Sequence, residues 1–324
     1  MARKTGTANA LLNVFRSIMK FINVNSSFNR IVIRPVIALA ALSPLFADPF
    51  FFNTGDPDGK MATASRLSSP GIEIESADDF LLAQGVSLTE ATFTGLIPTG
   101  ASLGSINNVT VEIYRVFPQD SDVGRTSGPS NFSTDQVPTR VNSPSDVAFD
   151  TRDALAGNLT FTAGTLASSF TANNSVLNGI NPKPNQTTGG EGSVTGQEVK
   201  VSVQFTTPLD LPADHYFFVP QVQLASGDFY WLSAPKPIVP PGTPSSPDLQ
   251  SWIRNENLAP DWLRIGTDIV GGQPAPTFNA TFSLTGILEE DNTVPDAGST
   301  AELAEIAVLC LALVRRPVRN QNRL

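Results

Sequence analysis

The segment Val199-Lys200-Val201-Ser202-Val203-Gln204-Phe205 decides the fold class of this chain. Apolar and polar residues alternate strictly along it, which is the pattern of a strand with one face in a core and the other in water. The same alternation recurs at Val109–Phe117 and Phe278–Thr285, and shorter strand patterns occur at Ala91–Ile97, Leu159–Ala163, Tyr216–Leu224 and Asp228–Ala234. Segments rich in Pro and Gly separate them. We therefore predict an all-β protein, a β-sandwich of the jelly-roll type with long Pro/Gly-rich loops.

Helical patterns are nearly missing from the centre of the sequence. Between Asp48 and Thr293 only Asp248–Asn255 and Asp261–Ile265 have patterns that could form single helical turns. The length allows one large β domain or two small ones. Because no segment reads clearly as a linker, we predict a single β-sandwich domain over residues 48–288.

The N-terminal region has the pattern of a secretory leader. An apolar segment, Ile31–Ala47, follows a basic region that contains Arg3, Lys4, Arg16, Lys20 and Arg30. A basic region, an apolar region and a small residue before the cleavage point are typical of a signal peptide. We predict a signal peptide over residues 1–47, with Met19 as an alternative start. The translocon and signal peptidase are then its first partners.

The C-terminal region has three parts in order. The motif Val294-Pro295-Asp296-Ala297-Gly298-Ser299-Thr300 precedes an apolar segment, Ile306–Val314, and the chain then carries Arg315, Arg316, Arg319 and Arg323. An apolar helix would halt in the bilayer with its arginines on the cytoplasmic side. This arrangement resembles the sorting signal of exosortase-handled proteins, in the VPDSG variety of the PEP-CTERM class, although Ala297 stands where that variety has Ser.

The resemblance implies a route for the protein. An exosortase-type membrane protease would cleave near the motif after transient anchoring in the inner membrane, and the product would reach the surface or the extracellular matrix of a Gram-negative cell. Residues 289–324 then divide into a tether, the motif at 294–300, an apolar helix at about 303–314 and a basic end at 315–324, with Arg315 and Arg316 as the anchor. The alternative is an ordinary amphipathic helix, since Glu302 and Glu305 interrupt the apolar segment.

Charge and cysteine content exclude several classes of function. Residues 48–300 hold 11 Lys/Arg and 28 Asp/Glu, so the predicted mature chain has a net charge near −17. Such a chain is not expected to bind nucleic acid, which requires a positive surface. The only cysteine, Cys310, lies in the predicted sorting helix, so the predicted body has no disulfide, thiol nucleophile or thiolate metal site.

Two acidic segments suggest a calcium site. Asp56 and Asp58 alternate in an Asp-Pro-Asp-Gly sequence, and oxygen ligands at alternate positions suit Ca²⁺. Asp78 and Asp79 could share that cation. Their segment, Ala77-Asp78-Asp79-Phe80, resembles a strand-opening segment of secreted bacterial β-sandwich proteins. The alternatives are an ordinary tight turn for the first segment and surface carboxylates beside a buried Phe for the second.

Aromatic residues late in the chain suggest glycan contacts. Tyr230, Trp231, Trp252 and Trp262 could stack on sugar rings if they are exposed, and the alternative is that they fill the core. Carboxylates in loop-like segments could form the acid pair of a glycoside hydrolase, and the first candidates are Asp120, Asp122, Asp146, Asp150 and Asp153.

The lone histidine, His215, lacks a nucleophile motif and is interpreted as a strand-edge residue. We therefore expect a non-enzymatic, structural or adhesive component of the extracellular matrix. The first alternative is a calcium-assisted carbohydrate-binding module that contacts extracellular polysaccharide. The second is a secreted glycan-acting hydrolase.

Overall fold

The structure is a computed structural model that describes residues 48–68, 71–125, 137, 139–181 and 187–289. All of these residues belong to one compact unit that begins at Ala47. The predicted signal peptide at 1–47 and the predicted sorting signal, including Val294–Thr300, Arg315 and Arg316, lie outside the described residues. Those two predictions therefore stay predictions. Among the described residues, no helical segment has both the length and the apolar composition of a membrane span.

The described chain is built almost entirely of strands. Their order is β1 Pro49–Asn53, β2 Met61–Ala64, β3 Ile74–Leu81, β4 Val86–Ile97, β5 Ile106–Arg115, β6 Asp150–Asp153, β7 Leu159–Ala172, β8 Asn174–Val176, β9 Val194–Leu211, β10 His215–Leu224, β11 Tyr230–Ala234, β12 Trp252–Asn255, β13 Leu263–Arg264, β14 Asn279–Ala280 and β15 Phe282–Leu288. A 3-10 turn spans Leu103–Ser105 and a π-helical turn spans Ile265–Val270.

The strands form two sheets. Sheet A has nine described strands, and six of them follow the order β1-β15-β4-β11-β2-β8. Strand β9 pairs with β4 along the edge opposite β15 and β11, and β7 pairs with the outer edge of β9. Sheet B has six described strands in the order β13-β12-β3-β10-β5-β6. Nearly all pairs are antiparallel, and the exception is the parallel pair β2–β8. The predicted all-β, two-sheet architecture is confirmed.

The main core lies between the two sheets. Phe93 of β4, Val201 of β9 and Phe282 of β15 face Phe80 of β3 and Phe218 of β10 across it. The rings of Phe218 and Phe282 stack at 5.0 Å between centroids. The alternation seen in the sequence is the cause, because Val199, Val201, Val203 and Phe205 all point inward from β9.

The outer faces of the two sheets differ. A second apolar cluster, which includes Tyr114, Phe217, Trp252 and Trp262, lies on the outer side of sheet B, and Leu249 packs against it. The outer face of sheet A along β9, β4 and β15 instead carries hydroxyl side chains that are only partly buried or exposed, such as Ser202, Thr92 and Ser283.

Two helical predictions are wrong. In Asp248–Asn255 the last four residues form strand β12, because Trp252–Asn255 pairs with β3 in the middle of sheet B. In Asp261–Ile265 the pair Leu263–Arg264 forms strand β13, and the helical turn begins only at Ile265. Sheet pairing overrides a weak local preference here.

Candidate functional site

The outer face of sheet A contains a groove of about 310 Å³. Strands β1, β4, β9 and β15 and the loop after β1 form its lining. The polar side chains that line it are Asn53, Asp56, Thr92, Thr94, Lys200, Thr281, Ser283 and Thr285. Because outward residues on neighbouring antiparallel strands stand opposite one another, the groove floor is a regular array of hydroxyl groups.

One row of outward-facing polar side chains crosses five strands of sheet A and passes through the groove at Thr92, Ser283 and Asn53. The sheet register places Thr162, Ser202, Thr92, Ser283 and Asn53 directly opposite one another in that order. Neighbouring strands lie about 4.8 Å apart, so the row spans roughly 19 Å. In its centre, Thr92 Oγ1 and Ser283 Oγ lie 2.7 Å apart and hydrogen-bond to each other. Hydroxyl groups both donate and accept, so such a row can bond to any neighbouring hydroxyl-bearing ligand.

An exposed aromatic ring stands at one side of the groove. Phe51 lies in the run Pro49-Phe50-Phe51-Phe52-Asn53, where alternation buries Phe52 and turns Phe51 outward. The Phe51 side chain is 58% exposed, although it is large and apolar. Register with β15 sets it opposite Thr285. The groove therefore combines hydrogen-bonding groups with one apolar ring face, which is the composition that a sugar ring requires.

The residues that line the groove carry one charge of each sign. Among its lining residues, Lys200 is the only cation and Asp56 the only anion. Both are exposed. A lining without net charge contrasts with the acidic composition of residues 48–300, and it favours an uncharged ligand.

The predicted calcium ligands are divided between different environments. Asp56 lines the groove, whereas Asp58 accepts hydrogen bonds from the Lys60 amide at 3.0 Å and from the Ser233 hydroxyl. Asp58 also forms an ion pair with the Lys60 ammonium at 3.0 Å. These contacts are those of a tight turn tied to β11, which is the alternative that the sequence left open.

Asp78 and Asp79 point to opposite faces of sheet B, because they are consecutive residues of β3. Inside the sandwich, Asp78 accepts a hydrogen bond from Ser251 Oγ at 2.9 Å and from the Ala280 amide at 2.8 Å. On the other face, the Oδ2 atom of Asp79 lies 2.7 Å from Nε2 of His215. Burial raises the pKa of both carboxyl groups.

The hypothesis of one cation shared by Asp56, Asp58, Asp78 and Asp79 is therefore corrected by the geometry. Consecutive strand residues cannot direct both carboxylates at one point, and Asp58 already has its own partners. In the described part of the chain, no three His, Cys, Asp or Glu side chains form a group that could hold a metal ion.

The predicted stacking residues are internal. Trp231, Trp252 and Trp262 are at most 2% exposed, so their rings are not accessible to a sugar. The indole of Trp231 donates a hydrogen bond to the Thr281 carbonyl at 2.8 Å from within the main core. Tyr230 is half-buried and packs against two smaller apolar clusters. The alternative, that these rings fill the core, is correct for the three tryptophans.

A second polar site lies on the outer face of sheet B, where the second apolar cluster covers it. Arg254 donates hydrogen bonds to both carboxylate oxygens of Glu75 and, at 2.7 Å, to the Tyr114 hydroxyl. The Tyr114 oxygen lies 2.9 Å from Glu75 Oε1 and 2.9 Å from Glu112 Oε2. The Arg254 guanidinium stacks over the Trp262 ring at 4.3 Å. Strand β12 pairs directly with β3, and β10 lies between β3 and β5, so the site spans four neighbouring strands of sheet B.

The two carboxyl groups of this site have opposite pKa shifts. Burial and the neighbouring Glu75 raise the pKa of Glu112 to about 8. Burial opposes ionisation of Glu75 too, but the Arg254 charge and hydrogen bonds outweigh it and lower the Glu75 pKa. The Tyr114 hydroxyl has one proton and two carboxyl neighbours, so a protonated Glu112 completes the hydrogen bonding at neutral pH.

Opposed pKa values in two adjacent carboxyl groups are also the pattern of a catalytic acid and nucleophile. Here the geometry favours a structural role. Both oxygens of Glu75 are occupied by Arg254, and Glu75 is 4% exposed, so it offers no free atom to a substrate. We assign the pair to the stability of sheet B.

The other acids considered for glycoside hydrolysis are held by neighbouring groups. Asp146 accepts hydrogen bonds from Arg125 and Arg140, and Asp150 is paired with Arg152. Asp150 and Asp153 are also not loop residues, because Asp150–Asp153 is strand β6. The groove could not be predicted from the sequence, because Thr and Ser residues on a strand indicate only a solvent-exposed face. Phe51 gives no separate signal, since it is one of three consecutive Phe residues.

The chain matches no protein-family model, no curated protein and no solved structure.

Proposed function

We propose that this chain is an exported, non-enzymatic protein of the cell surface or extracellular matrix that attaches to neutral polysaccharide through the groove of sheet A. The predicted signal peptide and the exosortase-type tail provide the route to that location. The observation that carries the binding proposal is the groove itself, with a row of hydroxyl side chains beside the exposed ring of Phe51.

The arrangement matches the chemistry of a polysaccharide. Sugar hydroxyls donate and accept hydrogen bonds, and Thr92 and Ser283 have the same dual capacity. The C–H face of a pyranose is apolar and would cover the exposed Phe51 ring, which removes apolar surface from water. A row that extends over five strands gives an extended chain several contacts in succession.

The charge distribution favours a neutral polymer over an anionic one. The predicted mature chain is near −17, so an anionic polysaccharide would be repelled from most of its surface. Lys200 and Asp56 balance each other at the groove and can each hydrogen-bond a sugar hydroxyl. A neutral groove on an acidic chain fits an adhesive role, because the net negative charge outside the groove keeps the protein in solution.

The test is a binding isotherm of the compact unit that begins at Ala47 on cellulose, dextran and mannan, with alginate as the anionic comparison. We expect saturable binding to at least one neutral polymer and none to alginate. Phe51→Ala should weaken binding about tenfold, because a stacked ring contributes about 1.4 kcal/mol. Thr92→Val should weaken it about threefold through the lost hydroxyl.

Two control variants distinguish binding in the groove from binding elsewhere on sheet A. Ile287→Ala removes another exposed apolar side chain from sheet A, outside the groove, and should bind as the unsubstituted chain does. Thr207→Val makes the same hydroxyl-to-methyl change at an exposed position of β9 away from the groove. The proposal is wrong if no neutral polymer binds saturably, or if Phe51→Ala and Ile287→Ala have equal affinity.

A further inference from the structure

Strand β7 forms one edge of sheet A, and nothing in the described ranges pairs with its outer side. Leu159–Thr165 pairs regularly with Phe205–Val199 of β9, and the register becomes irregular only after Thr165. No other described segment forms backbone hydrogen bonds with this stretch. Its outward N–H and C=O groups are therefore open to another strand.

This edge lacks the features that normally prevent pairing. The whole of β7, 14 residues, contains no charged residue and no proline. Natural edge strands are usually short, charged, covered or interrupted by proline. The absence of charge is notable because residues 48–300 hold 39 charged Lys, Arg, Asp and Glu residues.

The other described edges are protected. On the opposite side of sheet A, Asn53 of β1 exchanges hydrogen bonds with Thr243, which covers part of that strand. The other outer strands of sheet A, β8 and β14, have only three and two residues. In sheet B, the edge strand β6 has three charged residues among four, and the opposite edge strand β13 has only two residues. Strand β7 is thus the one long, uncharged edge in the described part of the molecule.

The sandwich is also incompletely closed beside β7. Phe161 and Ala163 point toward the core and pack against it, yet both remain only partly buried. A strand added outside β7 would cover these side chains and extend the core by one layer of contacts.

We propose that β7 pairs antiparallel with β7 of a second copy of this chain, across a twofold axis at Thr162, so that two sandwiches share one continuous sheet. In this register Phe161 of each copy faces Ala163 of the other, a large side chain against a small one on the same face. Thr160 faces Gly164, whose added side chain would meet open space, and Thr162 faces itself. No like charges come together in this pairing, which makes the strand self-complementary.

The pairing has a consequence for the outer face. The hydroxyl row that ends at Thr162 would continue into the same row of the second copy, so two grooves would lie on one continuous face. Two linked sites bind a polymer more tightly than one, without any new contact. The self-association itself does not depend on the proposed glycan function.

Sedimentation equilibrium of the unit that begins at Ala47 tests the pairing. We expect a monomer–dimer equilibrium in the unsubstituted chain. Thr162→Lys places two ammonium groups opposite each other at the axis, so it should weaken dimerisation at least about fivefold at low salt. Gln204→Lys is the matched control, because it adds the same charge to the same face at an exposed position of β9, one strand inward from the edge.

The register is tested by two double variants. The pair T160K and G164E brings opposite charges together across the axis and should dimerise at least as well as the unsubstituted chain. The pair T160E and G164E brings carboxylates together and should dimerise more weakly. A chain that stays monomeric up to hundreds of micromolar overturns the proposal. Equal dimerisation of T162K and Q204K, or of the two double variants, overturns it as well.

Discussion

The substitution Glu112→Gln tests whether Glu112 is protonated in the folded chain, where it lies in the polar site on the outer side of sheet B. A glutamine has the shape of a protonated glutamate and retains a donor for Glu75 and Tyr114, but it cannot ionise. The pKa of Glu112 is raised from 4.5 to about 8 by burial first and then by the neighbouring Glu75. The substitution should therefore be neutral at low pH and stabilising at high pH.

The sign and size follow from proton linkage. Between pH 4.5 and about 8 the folded chain holds a proton on Glu112 that the unfolded chain has lost, so the unfolding free energy falls as pH rises through this window. The slope is about 1.4 kcal/mol per pH unit, which gives an upper limit near 5 kcal/mol. Glu112 is only partly buried, so solvent screening reduces the expected effect to about 2 kcal/mol.

Urea unfolding from pH 5 to pH 9 measures this difference. The fluorescence of the buried Trp231, Trp252 and Trp262 reports unfolding. The unfolding free energies of the two chains should be nearly equal at pH 5, and Glu112→Gln should be about 2 kcal/mol more stable at pH 8.5. Burial also raises the pKa of Glu73, but that contribution is present in both chains and cancels in their difference.

Glu90→Gln is the control, because Glu90 is an exposed residue of β4 and the change in charge is the same. It should give a difference that does not vary with pH in this manner. If the difference in unfolding free energy between Glu112→Gln and the unsubstituted chain stays constant from pH 5 to pH 9, Glu112 is not protonated in the folded chain and the reasoning is refuted. A variant that is less stable than the unsubstituted chain at every pH would refute it as well, since Glu112 would then act as an anion.

Other substitutions test packing and charge. Arg254→Met leaves the Glu75 carboxylate buried without its partner and should cost about 3–5 kcal/mol in urea unfolding. Lys60→Met breaks an ion pair whose ammonium group is largely exposed and should cost less than about 1 kcal/mol. In sheet A, Gly95→Ala places a methyl group 2.3 Å from a buried phenylalanine ring and should lower the melting temperature by several degrees. Gly164→Ala enters open space and should leave the melting temperature nearly unchanged. Calcium at millimolar concentration should not shift melting relative to a chelator, because the four predicted ligands do not converge; a rise of several degrees would contradict that geometry.

The sequence predicted the fold class and most strands because alternation is a direct consequence of burying one face. Val199–Phe205 illustrates this, since its apolar residues all enter the core. It failed at Trp252–Asn255, where four residues are too few for a period to be seen and pairing with β3 decides the structure. The tryptophans were ambiguous because a large ring serves a core as well as a sugar site.

The sites depend on juxtapositions that a linear sequence does not contain. Glu75, Glu112 and Arg254 lie on β3, β5 and β12, and only the sheet order places these within four neighbouring strands, with β10 between β3 and β5. The groove likewise joins Phe51 to Lys200 across four strands. One signal was present in the sequence: alternation in β1 requires that one of three consecutive Phe residues point away from the core.

The proposed attachment to neutral polysaccharide through the groove is tested most directly by comparing Phe51→Ala with Ile287→Ala in isotherms on the same neutral polymer. We predict saturable binding by the unsubstituted chain, about tenfold weaker binding by Phe51→Ala, and unchanged binding by Ile287→Ala. Equal affinities of the two variants, or the lack of saturable binding to any neutral polymer, would contradict the assignment of the groove as the binding site.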